Sequence, residues 1–166
     1  QHGGWIDVTS QVGVGTIFRI FLPAVETAGP EAAGQAPAEE MHSGHETILL
    51  AEDDPSLRRL VRQSLVRCGY SVLEAASGNE ALKLWQKNAS RIDLLLTDMV
   101  MPEGLSGREL ARRLQGQDPK LKVVYTTGYS LEAISSDCEL IDGLNFLPKP
   151  YHPSRLTKTV RACLDT

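Results

Sequence analysis

Several side chains that could share phosphoryl chemistry lie at the ends of short apolar runs. Glu52 and Asp53 directly follow one run, and Asp98 follows another. Thr126 closes a third run, and Lys149 comes just after a fourth. Carboxylates held close together repel one another, and a hard divalent cation with oxygen ligands, Mg2+ above all, relieves that repulsion. A carboxylate beside Mg2+ and a lysine is suited to attack phosphorus and form an aspartyl-phosphate.

The apolar runs before these residues have the length and composition of buried strands. Most lack polar alternation, which is typical of strands covered on both faces of a parallel sheet. Apolar residues recur at helical spacing between the runs, and Ser77 and Ser130 are predicted N-caps. Five strand–helix units in succession predict an α/β fold with helices on both faces of the sheet. The predicted strands span residues 48–51, 71–75, 94–97, 123–126 and 144–147.

A parallel sheet would bring the candidate residues together, because all its strands end at one edge and ligands bind there. Each feature alone has an ordinary explanation. An Asp pair after a strand commonly caps a helix, and a single Thr or Lys is commonly a surface residue. Four such features, each at the carboxyl end of a predicted strand, favour a Mg2+-dependent phosphoryl site.

Four stretches of the chain are distinctive: ILLAEDDPSLR (48–58), DLLLTDMVMPEGLSGREL (93–110), VVYTTGYS (123–130) and FLPKPY (146–151). Through them, residues 47–166 closely resemble the receiver domain of two-component response regulators. The resemblance implies a five-stranded, doubly wound, flavodoxin-like sheet of order 2-1-3-4-5. It also implies acceptance of a phosphoryl group from a histidine kinase or a histidine phosphotransfer protein.

The resemblance assigns the acidic residues. Asp98 matches the phospho-acceptor. Asp53 matches a direct Mg2+ ligand, and Glu52 matches a residue that acts on the metal mainly through water. Val100 matches the position whose backbone carbonyl binds the metal.

Three further residues and one peptide bond have counterparts in that family. Thr126 matches the hydroxyl that turns toward the phosphoryl group, and Lys149 matches the lysine that pairs with it. Phe146 matches the switch aromatic, and the bond between Lys149 and Pro150 is expected to be cis. One departure is the pair Glu103-Gly104, which makes the loop after Asp98 one residue longer than the commonest form.

The chain is predicted to have three parts. Residues 1–23 alternate apolar and polar around a Gly-rich turn, which predicts two strands, and residues 24–46 have the composition of a flexible linker. Residues 47–166 form the receiver. Residues 4–23 resemble the last strands of a histidine-kinase ATP-binding domain, through the G-x-G-T turn at 13–16 and the closing Phe-x-Ile-x-Leu-Pro. The parent protein is therefore expected to be a hybrid sensor histidine kinase whose ATP-binding motifs lie upstream, and this fragment is not expected to be an enzyme.

Composition disfavours some kinds of partner and cellular location. The 166 residues are 42% hydrophobic and carry a net charge of −4, which disfavours a nucleic-acid partner. No apolar run approaches the roughly 18 residues of a membrane span, so no direct membrane contact by this fragment is expected. The scattered Cys68, Cys138 and Cys163 suit a reducing cytoplasm, and the parent kinase can still be attached to a membrane.

Two other functions on the same fold stay open. An aspartyl-nucleophile phosphatase resembling the haloacid-dehalogenase family would carry a second Asp two residues after the nucleophile, where this chain has Val100. An FMN binder would need a first loop that holds a phosphate, and Glu52-Asp53-Asp54 would repel one. His42 and His45 have a spacing seen in metal sites but lie in the predicted linker without a third ligand.

Overall fold

The computed structural model describes residues 3–24, 41–101, 104–128 and 140–166. The chain divides into two compact units, Gln1–Ala38 and Glu39–Thr166. No helix within these described ranges is long and apolar enough to span a membrane.

The first unit contains an antiparallel hairpin of β1 (Trp5–Gln11) and β2 (Gly15–Phe21). The hairpin was predicted, and its first strand extends to Gln11. Gly13 adopts a positive φ of 79° in the turn, a conformation that side chains disfavour. All residues of both strands are exposed, including the stacked rings of Trp5 and Phe21, whose centroids lie 4.8 Å apart. Two isolated strands bury too little apolar surface to be stable in water by themselves.

The second unit is built on a five-stranded parallel sheet in the order β4-β3-β5-β6-β7. Numbered within this unit, the order is 2-1-3-4-5, as predicted. The last strand begins later than predicted, because residues 143–145 form a turn in which the Gly143 amide donates to the Phe146 carbonyl (3.0 Å). The strands are β3 (Thr47–Ala51), β4 (Ser71–Ala75), β5 (Leu94–Asp98), β6 (Lys122–Thr127) and β7 (Phe146–Pro148).

Four α-helices are described in this unit. Ser77 caps α2 as predicted, by accepting a hydrogen bond from the Glu80 amide, and Ser106 caps α3 by accepting one from Glu109. Ser130 and the helix predicted after it lie outside the described residues. The helices are α1 (Pro55–Arg67), α2 (Gly78–Asn88), α3 (Gly107–Gln115) and α4 (Pro153–Leu164), with a 3-10 turn at Ala89–Arg91.

Both faces of the sheet are covered, which explains the apolar runs without polar alternation. Along β3, Leu49 belongs to a core with residues of α2 and α3, whereas Ile48 and Leu50 belong to a core with residues of α1 and α4. This alternation places two separate apolar cores against one sheet. The buried residues Met99 and Met101, which flank the candidate site in sequence, pack in the first core.

Residues 41–46, here called the docked segment, are bound to the rest of the second unit. The Gly44 amide donates to the Cys68 carbonyl (3.0 Å), and the Glu46 carbonyl accepts from the Ser71 amide (3.0 Å). A side chain at Gly44 would overlap the ring of Tyr70, so glycine permits this close approach. The prediction of a flexible linker over residues 24–46 is therefore wrong for residues 41–46, because composition could not reveal these contacts. Residues 25–40 of the predicted linker lie outside the described residues.

Candidate functional site

The first acidic loop lies between β3 and α1. Asp54 caps the helix, because its Oδ1 accepts from the amides of Ser56 (2.8 Å) and Leu57 (2.7 Å). Glu52 and Asp53 precede this cap, and each offers a carboxylate oxygen to a cluster that includes Asp98. The two adjacent aspartates therefore have different roles: Asp54 caps α1, and Asp53 belongs to the acidic cluster.

Asp98 is held at the end of β5 by its neighbours. Its Oδ1 accepts from the Val100 amide (3.0 Å), and its carbonyl accepts from the Thr97 hydroxyl (3.0 Å). Gly107 begins α3 directly against this carbonyl, and a Cβ at that position would overlap it. The close approach of α3 to the strand end therefore requires glycine, a packing role that the sequence analysis missed.

Lys149 bridges two of the three carboxylates. Its Nζ lies 2.8 Å from Glu52 Oε2 and 2.6 Å from Asp98 Oδ2. Its backbone amide donates to the Thr127 carbonyl (2.8 Å), and the bond to Pro150 is cis, as the resemblance implied. The structure thus brings together Glu52, Asp98 and Lys149 from the ends of three different strands.

The charges of the cluster do not balance. Carboxylate oxygens of Glu52, Asp53 and Asp98 lie within 4.8 Å of one another, and Lys149 supplies one ammonium. Glu52 is only 2% exposed, and burial raises its pKa, with the Asp98 charge adding to the effect of burial despite the hydrogen bond from Lys149. Burial opposes the charged form of Lys149, but its hydrogen bonds to Asp98 and Glu52 outweigh this and raise its pKa. A divalent cation would remove the excess negative charge, so the donor set fits Mg2+.

The site opens to solvent through a cavity of about 620 Å3. Val100 lies at this cavity, and the residue is 55% exposed. Phe146 is buried in the core that α2 and α3 cover, in register with Tyr125 of β6. Val100, which the resemblance assigned to metal binding, is therefore open to solvent, whereas Phe146, which it assigned to switching, is not.

The structure does not bring Thr126 to the cavity. Its hydroxyl is buried and lies 3.5 Å from the Thr97 carbonyl, whereas Thr127, the last residue of β6, lines the cavity with Asp98 and Lys149. Successive strand residues point to opposite faces, so these two hydroxyls have different surroundings, and the role that the resemblance gave to Thr126 stays a prediction. Gly128, which directly follows the strand, is the sequence signal that marks Thr127 as the last strand residue.

Arg58 also contacts the site, which was not predicted from the sequence. Its Nη1 donates to the carbonyl oxygens of Glu52 (2.6 Å) and Asp53 (3.2 Å). The residue lies in the matched stretch 48–58, but an arginine in a first helical turn is usually a surface residue, so its type alone gave no signal.

The sheet order and the acidic cluster at the carboxyl edge define a flavodoxin-like α/β protein with a candidate metal and phosphoryl site. Residues 48–161 match the family described as the response regulator receiver domain, and the chain belongs to this family. Receiver domains of two-component systems are phospho-acceptors, which is the general function of the second unit.

Two curated relatives come from Brucella abortus (strain 2308). Sensor kinase CckA is 36% identical over 172 residues, which cover 99% of this chain but 18% of that protein. The response regulator receiver protein CpdR is 38% identical over 117 residues, which cover 70% of this chain and 95% of that protein. The chain therefore spans less than a fifth of the first relative and nearly all of the second.

Solved structures show the same fold. The receiver domain from hybrid histidine kinase CckA is 36% identical, has a TM-score of 0.59, and is matched over 71% of this chain and 98% of that chain. A receiver domain protein from Clostridium thermocellum is 25% identical with a TM-score of 0.61, over 72% of this chain and 94% of that chain.

Proposed function

We propose that Asp98 accepts a phosphoryl group from a phosphohistidine in a Mg2+-dependent reaction. The observation that carries this proposal is the cluster of three carboxylates with Lys149 bound to Asp98 and Glu52. A carboxylate oxygen of Asp98 forms a bond to phosphorus, the bond from phosphorus to the histidine nitrogen breaks, and the imidazole leaves with the electron pair. The product is an aspartyl-phosphate and a free histidine.

The metal would be held by Asp53, Asp98 and the backbone carbonyl of Val100, with Glu52 acting through water. When bound, Mg2+ neutralises the crowded carboxylates and the phosphoryl oxygens. Lys149 is placed to pair with a phosphoryl oxygen, because its ammonium already lies 2.6 Å from the accepting carboxylate. The Glu52 carboxylate, 2.8 Å from the same ammonium, helps to hold Lys149 at the site.

Thr127 is proposed as the hydroxyl that binds the phosphoryl group, in place of Thr126. Its position at the cavity supports this role. A shift of Thr127 toward the phosphoryl group would change the packing next to Phe146, which lies in the neighbouring strand. The signal would then be a population shift between two packings of this side of the domain.

The parent protein is proposed to be a hybrid histidine kinase. The match to the sensor kinase covers 99% of this chain, hairpin included, and the Gly-rich turn of the hairpin supports its assignment as the end of an ATP-binding domain. The phosphoryl donor is then a histidine in the parent kinase core or in a phosphotransfer protein, within the cytoplasm. The net charge of −4 supports protein partners rather than nucleic acid. The exposed Val100, in place of a second aspartate, leaves a phosphatase without its general acid.

The experiment is a titration with Mg2+ and beryllofluoride, followed through amide resonances. The wild-type chain should respond fully only when both are present. Thr127→Ala should still bind beryllofluoride but should lose the shifts around Phe146. Thr126→Ala is the matched control and should keep them. A reversed result, with Thr126→Ala losing the shifts, would contradict the assignment of Thr127.

A further inference from the structure

We propose that Arg58 is a positioning residue for the Mg2+ site. Its guanidinium holds the backbone of Glu52 and Asp53 so that their carboxylates stay next to Asp98 before the metal arrives. This inference rests on the proposed function, because it concerns the same metal site. It adds a residue from α1 to a site whose other members come from strand ends.

The contacts of Arg58 are directed at the loop and not at its carboxylates. Nη1 donates to the Glu52 carbonyl at 2.6 Å and to the Asp53 carbonyl at 3.2 Å. The amide of Glu52 donates to the Ala75 carbonyl (3.1 Å), and Asp54 is fixed by the helix amides of Ser56 and Leu57. Three consecutive residues are thus tied to β4, to Arg58 and to the start of α1.

The loop needs these hydrogen bonds because repulsion between its carboxylates and Asp98 opposes the observed geometry. Glu52 and Asp53 contribute carboxylate oxygens within 4.8 Å of Asp98, and like charges at this distance repel. Hydrogen bonds from a charged donor are among the stronger ones in proteins. Two of them on adjacent carbonyls resist the displacement of the loop that would relieve the repulsion. The site is therefore arranged for a cation in advance, and less ordering is needed upon binding.

The charge of Arg58 and its hydrogen bonds would have opposite effects on Mg2+ affinity. A guanidinium near the site repels Mg2+, so its removal would tighten metal binding if charge were its main effect. If positioning is the main effect, removal weakens metal binding. The sign of the change in Mg2+ affinity therefore separates the two roles.

Arg59 provides a matched control. It follows Arg58 on the same helix, carries the same charge and is exposed to solvent. Arg58→Lys provides a second comparison, because lysine keeps the charge but is one bond shorter, whereas both hydrogen bonds come from the terminal Nη1 of arginine. Positioning predicts weaker Mg2+ binding for Arg58→Met and Arg58→Lys, whereas a pure charge effect predicts tighter binding for the first and no change for the second.

The experiment is calorimetric titration of the unphosphorylated chain with Mg2+ alone, together with thermal unfolding without metal. Loss of a residue that orients metal ligands typically weakens affinity by about 10–100-fold. We expect about a tenfold loss for Arg58→Met, a smaller loss for Arg58→Lys, and unchanged or slightly tighter binding for Arg59→Met. A purely structural role would lower the unfolding temperature and leave the affinity of the folded protein unchanged.

The inference is overturned if Arg58→Met binds Mg2+ as tightly as the wild type or more tightly. If Arg58→Met does not fold, Arg58→Lys decides, since unchanged affinity there also overturns the inference. The proposed function fails separately, if the wild-type chain itself does not bind Mg2+. If the wild type binds Mg2+ and the Arg58 variants bind it with the same affinity, the role of Arg58 is ruled out and the proposed function still stands.

Discussion

Two glutamates flank strand β3 and have opposite surroundings. Glu46 precedes the strand, and its Oε1 lies 2.7 Å from Arg161 Nη1. Burial alone would raise the pKa of Glu46, but the hydrogen bond from Arg161, backbone donors and the guanidinium charge lower it. Glu52 follows the strand, and burial raises its pKa although Lys149 donates to it.

The two ends of the strand differ in their balance of charge. At the first end, the Arg161 guanidinium contacts two carboxylates, Glu46 and Asp165, at 2.7 Å each. At the other end, three carboxylates share the single ammonium of Lys149. The first cluster has one guanidinium for two carboxylates, whereas the second has one ammonium for three and therefore the larger excess of negative charge, which a divalent cation can neutralise.

The largest expected effect on stability is at Lys149. Lys149→Met leaves Glu52 buried beside Asp98 without an ammonium, and breaking such a pair costs about 3 kcal/mol. Mg2+ should restore much of this loss, because it replaces the missing positive charge. Urea unfolding with and without Mg2+ measures both effects, with the exposed Lys158→Met as control. Equal loss at saturating Mg2+ would show that the two charges do not substitute for each other.

A smaller effect is expected at the other end of β3. Gly44→Ala places a methyl group against the ring of Tyr70 and the Glu46 carboxylate, so the docked segment must move. We expect a loss of about 2 kcal/mol in the free energy of unfolding, with Mg2+ affinity unchanged. Gly128→Ala is the control for stability, because a Cβ there meets no atom within 4 Å. A change in Mg2+ affinity for Gly44→Ala would show that the two charge clusters are not independent of each other.

The smallest effect concerns pH. The folded pKa of Glu46 is lowered from its ordinary 4.5, so its contribution to stability is present above that pH and is lost as pH falls through the folded value. Glu46→Gln should therefore cost about 1 kcal/mol at pH 7, and the difference from the wild type should shrink below pH 4.5. Urea unfolding between pH 7 and pH 4 checks this. A difference that does not vary with pH would assign the effect to packing.

The sequence predicted the sheet and the acidic part of the site well, because both depend on short local signals. Buried strands require continuous apolar runs, and the carboxyl ends of parallel strands must share an edge, so Glu52, Asp53 and Asp98 could be placed together. The same reasoning placed Lys149 after the last strand, although that strand starts at Phe146.

The sequence was least informative where a single residue position or a long-range contact determines the local structure. Thr126 and Thr127 are chemically identical, and only the point at which β6 ends distinguishes them. The docked segment has the composition of a linker, and its contacts with Tyr70 and Arg161 join residues far apart in sequence. Arg58 was missed because its hydrogen bonds go to backbone carbonyls, which carry no sequence signature.

The central claim is that the cluster after β3 and β5 accepts a phosphoryl group at Asp98. The most direct test is labelling of the whole chain by radioactive acetyl phosphate, with Mg2+ or with a chelator, in the wild type, Asp98→Asn and the control Asp118→Asn. The account predicts label that hydroxylamine releases, in the wild type and the control, only with Mg2+. Asp98→Asn should take up none, because an amide cannot attack phosphorus. Comparable stable labelling of Asp98→Asn, or labelling without the metal, would contradict the claim.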